Sequence, residues 1–430
     1  MKVALFVISL AFLLGSLKKY KNLHNPYTSF NCLWAIVSLF VLIGNPYVFE
    51  PSNTALTVVA VGCMAYNLSI FSPRFVIGKK NELTIQEDAN MYSFNSRRAV
   101  ALSIIALILS IVSCVDAVKS LLMGESFAAI RLEYYTYSTT SSVWMYYLRM
   151  FVISPIRYVV LISAIISLFK ERVFNKILLF NAALIIILQA ITSGGRYVLM
   201  NAVFMFVCGY FVFRRKNKMQ LRRKILLIVF VLLFSYAIVF LTNDRTTALN
   251  QDMRTGERLY FTIYEYFSGS ITYLGKVTET YPEIVGTTYG LNFFAGFITP
   301  FFVGLTFLRL ISYPQIFNVI GTYACEVMKI GPETYYNAMP TIFGYFYIDG
   351  GLWLTFVEAW LFGYICKRLY SRSDNGNLLY TTYYLMLFTQ ICNSSTRWFV
   401  YSSDFCLAFI YMLFVIRKTK NCRHVHDESY

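Results

Sequence analysis

The sequence predicts an all-α protein, a polytopic bundle of transmembrane helices with one large polar loop. Three observations predict it. Hydrophobic residues make up 57% of the 430 and charged residues only 14%, with a mean hydropathy of +0.55, a balance foreign to a water-soluble globule. The apolar residues fall in runs of about 20, the length a helix rising about 1.5 Å per residue needs to cross a ~30 Å hydrocarbon core. The runs are continuous rather than alternating, which excludes an outer-membrane barrel, and backbone groups in lipid must be bonded within their own segment.

Val3–Leu17 is the first run. Lys18, Lys19 and Lys21 follow it, against a single Lys2 before it; a cleaved signal peptide carries its charge ahead of the apolar core, so a retained span with its N-terminus outside is expected. Further spans are expected at 30–49, 54–72, 99–122, 150–169, 177–192, 197–213 and 225–241. The connection Arg74–Arg98 holds five Lys or Arg, Lys170–Lys176 three and Arg214–Lys224 seven, which assigns all of them to the cytoplasm. Residues 1–241 thus form an N-terminal bundle of eight spans. Residues 242–340 follow as a large outer loop, 341–416 as three closing spans (341–365, 377–393 and 398–416), and 417–430 as a cytoplasmic tail. Within the loop, Tyr289–Leu310 is nearly long enough to cross. A single crossing would put Lys367, Arg368 and Arg372 on the wrong side, and Pro300 interrupts the run, so a re-entrant or interfacial pair of half-helices is expected. Eleven spans result, or twelve if this run crosses.

The net charge of +16 resides mostly in basic clusters at the ends of apolar runs, where it sets topology; nucleic acid is not an expected partner. Of nine cysteines, only Cys325 lies in the large loop, so no disulfide framework is indicated. Histidine occurs only at 24, 424 and 426, all on cytoplasmic segments. No metal-ligand spacing and no phosphate-binding glycine loop appears, so neither metal nor other cofactor is expected.

Chemistry is expected on the outer face. Ser193-Gly194-Gly195-Arg196 closes one span and precedes the next; its glycines permit a tight turn with close backbone approach, leaving an arginine beside exposed amides, a geometry suited to an anion. The loop adds Arg245, Arg254 and Arg258 within fourteen residues, where an outer segment should be depleted in arginine. Guanidinium groups hold phosphate oxygens bidentately without a metal. The alternatives are a snorkelling Arg196 and solvated loop charges. Tyr260, Tyr264, Tyr266 and Tyr273, and later Tyr335, Tyr336, Tyr345 and Tyr347, would stack on sugar rings or form an interfacial belt. Without an outer-face histidine, acid–base work falls to a carboxylate among Glu265, Glu333, Asp349 and Asp404. Asp349, Glu358 and Arg397 are the notable intramembrane charges, and Glu358, in mid-span, is expected to pair with another charge and organise the bundle.

The Ser193–Arg196 turn, the large loop beginning at Arg245, the run Asn337-Ala-Met-Pro-Thr-Ile-Phe-Gly-Tyr-Phe-Tyr-Ile-Asp-Gly-Gly351 and the short closing spans resemble the O-antigen polymerase family, the oligosaccharide repeat-unit polymerases. Arg245 to Gly256 also fits an Arg-x10-Gly spacing of that family. The resemblance implies a bacterial inner-membrane glycosyltransferase, N-terminus periplasmic and C-terminus cytoplasmic, needing no metal or cofactor. It would move a growing glycan from undecaprenyl diphosphate onto the non-reducing end of a lipid-linked repeat unit. Its partners would be that oligosaccharide, membrane lipids, and a chain-length regulator and flippase of the same pathway. Arg196 and Arg245 would stabilise the leaving diphosphate, and Glu265 or Asp349 would deprotonate the attacking hydroxyl. Gly194, Gly195, Arg254, Arg258, Tyr260, Tyr264, Asn337 and Arg397 would hold diphosphate and glycan. Two rival readings stand beside it. An O-antigen ligase uses the same donor but is expected to place a histidine on the outer face. A lipid-linked oligosaccharide flippase would line a cavity through the bundle with charge.

Overall fold

The computed structural model describes residues 1–72, 91–127, 129–130, 143–171, 174–195, 197–214, 264–314, 327–336 and 340–419, with residues 225, 228–229, 232, 257, 260–261 and 316 between them. These residues are overwhelmingly helical, as predicted. In chain order the helices are α1 (Lys2–Tyr20), α2 (Pro26–Ile43), α3 (Asn53–Leu68), α4 (Ser96–Leu122), α5 (Val143–Leu148), α6 (Ser154–Phe169), α7 (Lys176–Thr192), α8 (Tyr197–Arg214), α9 (Ser270–Ile284), α10 (Leu291–Phe307), α11 (Thr341–Asp374), α12 (Leu378–Cys392) and α13 (Ser403–Val415). Four short strands accompany them: β1 (Tyr92–Phe94), β2 (Met328–Lys329), β3 (Tyr335–Tyr336) and β4 (Ile416–Lys418). Five segments, Lys2–Tyr20, Pro26–Ile43, Asn53–Phe71, Ser96–Leu122 and Met145–Phe169, are long and apolar enough to cross a membrane. Most of the span expected at 225–241 lies outside the described residues, as does the tail beyond 419.

Two compact units divide the chain. The first is Met1–Val76, Thr247–Tyr370 and Gln390–Ser403. Its helices begin where the sequence supplies caps: Asn25 accepts from the Tyr27 amide ahead of Pro26, and Ser52 accepts from that of Ala55, each satisfying a first-turn donor. An aromatic core fills it. Phe30 stacks on Tyr66 with centroids 3.8 Å apart, and Trp398 meets Phe346, Phe362 and Phe293 at 5.2, 5.1 and 5.0 Å. Asn31 and Asn67 exchange side-chain hydrogen bonds of 2.9 Å, the polar pair that joins α2 to α3.

Hydrogen bonds tie each end of this unit together. The Phe49 amide donates to Ile330 O at 2.7 Å, Thr334 Oγ1 donates to Tyr47 O, and Tyr260 Oη donates to Gly44 O. The α2–α3 connection and the residues expected in the large loop therefore share an end. From the far end of α3, Ile70 O and Ser72 O accept from Lys367 Nζ at 2.7 and 3.0 Å. There α11 approaches through Gly363, where an added Cβ would fall 2.7 Å from Tyr66 O. Gly363→Ala should therefore separate α3 from α11 and destabilise the protein by about 1–3 kcal/mol, read as a lower unfolding midpoint in detergent.

Of the expectation for Tyr289–Leu310, the split at Pro300 is corrected. The run forms one helix, α10, continuing through Pro300 rather than splitting there; proline costs the Gly296 carbonyl its helical donor but leaves the rest of the ladder intact. Phe294, Phe297, Phe301 and Phe307 stand exposed along it.

The second unit is Ile77–Thr246, Ser371–Thr389 and Asp404–Tyr430. Its central helix α6 is buried almost throughout, as expected of a helix apolar on every side. Arg149 lies in a π-helical turn, Arg149–Ile153, that joins α5 to α6, and donates to Ser113 Oγ at 2.8 Å and to Ser113 O at 3.1 Å. β1 and β4 pair antiparallel, Ser93 opposite Arg417, so α4 begins where α13 ends.

Candidate functional site

Asp349-Gly350-Gly351 puts an acid directly before two glycines, and there the 34-residue helix α11 breaks. Gly351 takes φ 63° and ψ −151°, a region closed to residues with a Cβ. Two helical arms result, with Asp349 at the end of the first. Gly351→Ala should strain the joint and lower the unfolding midpoint by an amount corresponding to about 1–3 kcal/mol.

Asp349 is fully buried and receives the start of α10. Its Oδ1 accepts from the Asn292 amide and its Oδ2 from that of Phe293, both at 2.9 Å. The Thr288 hydroxyl also donates to Oδ1, and the Tyr289 amide donates to the Asp349 carbonyl at 2.8 Å. The chain entering α10 turns tightly to do this, with Gly290 at φ 88°. Trp398 Nε1 completes the grip by donating to Phe293 O at 3.0 Å. A carboxylate against the first-turn amides supplies the missing acceptors and meets the positive end of the helix dipole.

Glu358, on the second arm, is 5% exposed. Its carboxyl lies within hydrogen-bonding range of that of Asp349, and a Cβ added to Gly290 would meet its Oε1 at 3.7 Å. The partner expected for Glu358 was another charge; the structure gives it one of the same sign. Glu358 Oε2 and Asn292 Oδ1 are buried and have no hydrogen-bond partner among the described residues.

The remaining predicted residues divide. Glu265 stands partly exposed in a π-helical turn, Glu265–Gly269, just before α9; such turns recur at functional sites, and neither this one nor that of Arg149 announces itself in the sequence. Tyr260 is exposed, whereas Tyr264 is 2% exposed and packs in a cluster with Tyr273, Tyr336 and Ile348, the neighbour of Asp349. The Tyr264 ring is therefore core and is not free to stack on a glycan. Arg397 lies over the Phe399 ring at 5.0 Å, in the loop whose Ser394 and Thr396 carbonyls accept from the first amides of α11. Glu333 is exposed.

In the second unit, Asp404 sits 3.9 Å from Arg157. Gly194 and Gly195 form a turn, Gly194 at φ 52°, but their amides donate to Ile191 O and Ala190 O at 3.1 Å. The expectation of exposed amides is thus corrected: the turn caps the C-terminus of α7. Arg196, Arg245, Arg254, Arg258 and Asn337 lie outside the described residues.

No protein-family model, no curated protein and no solved structure matches the chain. Function therefore rests on its own residues. Among the described residues no group of three His, Cys, Asp or Glu could hold a metal ion. What they do assemble is a buried carboxyl pair at a helix break, with an exposed tyrosine and a partly exposed glutamate in the first unit.

Proposed function

We propose that the chain is a polymerase of lipid-linked oligosaccharide repeat units, transferring a growing glycan from undecaprenyl diphosphate to the non-reducing end of a repeat unit on the same carrier. The observation that carries this reading is the gathering of Arg245, Arg254 and Arg258 within fourteen residues, downstream of Arg196, in a chain with few charges. Transfer from a lipid diphosphate requires stabilisation of the departing pyrophosphate oxygens, and arginines supply it without a metal. The acceptor hydroxyl loses its proton to a carboxylate while its oxygen bonds to the anomeric carbon and the carbon–oxygen bond to the diphosphate breaks. Glu265 suits that role better than Asp349, because both Asp349 oxygens already hold backbone amides. Asp349 is then a positioning residue. The setting is the periplasmic face of a bacterial inner membrane, with a chain-length regulator and a flippase of the same pathway as partners.

A flippase is the second reading, favoured by the broken α11 and its buried acids, since charge inside a membrane-spanning element commonly marks a transport path. Deleting the gene and viewing the surface polysaccharide on a gel separates the two. Core carrying a single repeat unit is the expected result for a polymerase; core carrying none points to the flippase or to a ligase.

A further inference from the structure

Asp349 and Glu358 meet at the joint of α11, and their surroundings are rich in acceptors. The charge of Asp349 is met by two α10 amides and the Thr288 hydroxyl. Glu358 has the Asp349 carboxyl beside it and an Oε2 without a partner. Thr288 gives its proton to Asp349 and accepts from Asn292 Nδ2 at 3.1 Å, which fixes the Asn292 amide with its Oδ1 as a second orphan acceptor. Among the described residues at the start of α10, the uncharged Thr288, Gly290 and Asn292 lie at the pair. Arg397, the cation of the loop bonded to the start of α11, lies over the Phe399 ring.

Two carboxyl groups this close repel strongly in a low-dielectric interior unless positive charge lies between them. Two buried orphan acceptors, one on Glu358 itself and one on Asn292, require a donor or a cation as well. Among the described residues the site has two acids and neutral oxygens, without the nitrogen or sulfur ligands of a transition-metal centre. We propose that the Asp349–Glu358 pair binds one small monovalent cation, a proton or an alkali-metal ion, with Asn292 Oδ1 as a further ligand. The cation fastens the second arm of α11 to the start of α10 and so sets the angle of the joint. The site does not rest on the polymerase reading, because transfer from a diphosphate donor needs no such ion.

The test is thermal unfolding of the purified full chain in detergent, followed by tryptophan fluorescence. Choline chloride is exchanged for NaCl or KCl at constant ionic strength and mildly alkaline pH; in a second series, pH is lowered without alkali ions. Wild-type protein should gain about 3 °C from sodium or potassium if the ligand is an alkali ion, and from acid alone if it is a proton. Glu358→Gln should lose that gain. Should this variant fail to fold, carbodiimide labelling of wild-type Glu358, read by mass spectrometry, replaces it: labelling marks the protonated carboxyl and should fall as alkali ion is added or as pH rises. Identical responses of wild type and Glu358→Gln in both series, or labelling indifferent to both, would overturn the proposal.

Discussion

Replacing Arg245 with alanine is expected to abolish the long polysaccharide ladder and leave core bearing one repeat unit. The same result is expected for Arg196→Ala. Removing one donor aimed at a developing oxyanion typically costs about two to three orders of magnitude in rate, and a ladder many units long amplifies any deficit per step. Lysine at either position should restore only short chains, because an ammonium cannot engage two phosphate oxygens as a planar guanidinium does. The measurement is the gel, beside an immunoblot of membrane fractions showing normal insertion. A normal ladder would make both arginines interfacial anchors, and the polymerase site would have to be sought elsewhere.

Asp349→Ala is expected to act on the fold. It strips acceptors from the Asn292 and Phe293 amides and leaves the Thr288 hydroxyl with Ile348 O at 3.3 Å, all in a buried setting. Each buried donor left unpaired costs about 1–3 kcal/mol, so the sum rivals the whole stability of a typical domain. Little folded protein should survive extraction, judged by size-exclusion profile and unfolding midpoint. Asp349→Asn keeps one acceptor oxygen and turns an N–H toward the other amide, so an intermediate loss is expected. A variant that folds normally yet makes no polymer would instead place Asp349 among the proton-transfer groups.

The helical architecture was legible because the physics behind it is local: a run of apolar residues in lipid has to bond its own backbone. The position of the break was legible only in part. Pro300 looked like the interruption, yet a helix interior absorbs the loss of one amide, whereas Gly350-Gly351 after an acid gives both conformational freedom and an acceptor for a foreign helix. That the helix is α10, fifty-seven residues upstream of Asp349, no local pattern records. Tyr260 and Tyr264 are alike in sequence, and only packing separates the exposed ring from the core one. Gly194 and Gly195 were read for space at an anion, while their amides finish the helix they follow, the more local demand. Asp349 and Glu358 both stand out in the sequence as intramembrane charges, but that they lie beside each other does not, since proximity across a helix break is invisible to spacing along a continuous one.

The grip on the start of α10 has a consequence for the order of synthesis. Phe293 is held from two places made later, the Asp349 carboxylate and the Trp398 indole 105 residues downstream. A ribosome adding about 5–20 residues per second delivers that indole roughly 5 to 20 seconds after Phe293. The first amides of α10 gain their acceptor when Asp349 is made, about halfway through that interval, and the Phe293 carbonyl gains its donor only at the end of it, so this helix forms early and reaches its final place late. Premature truncation anywhere before Trp398 should therefore leave a chain that is inserted but unfinished, and open to the proteases that survey the membrane.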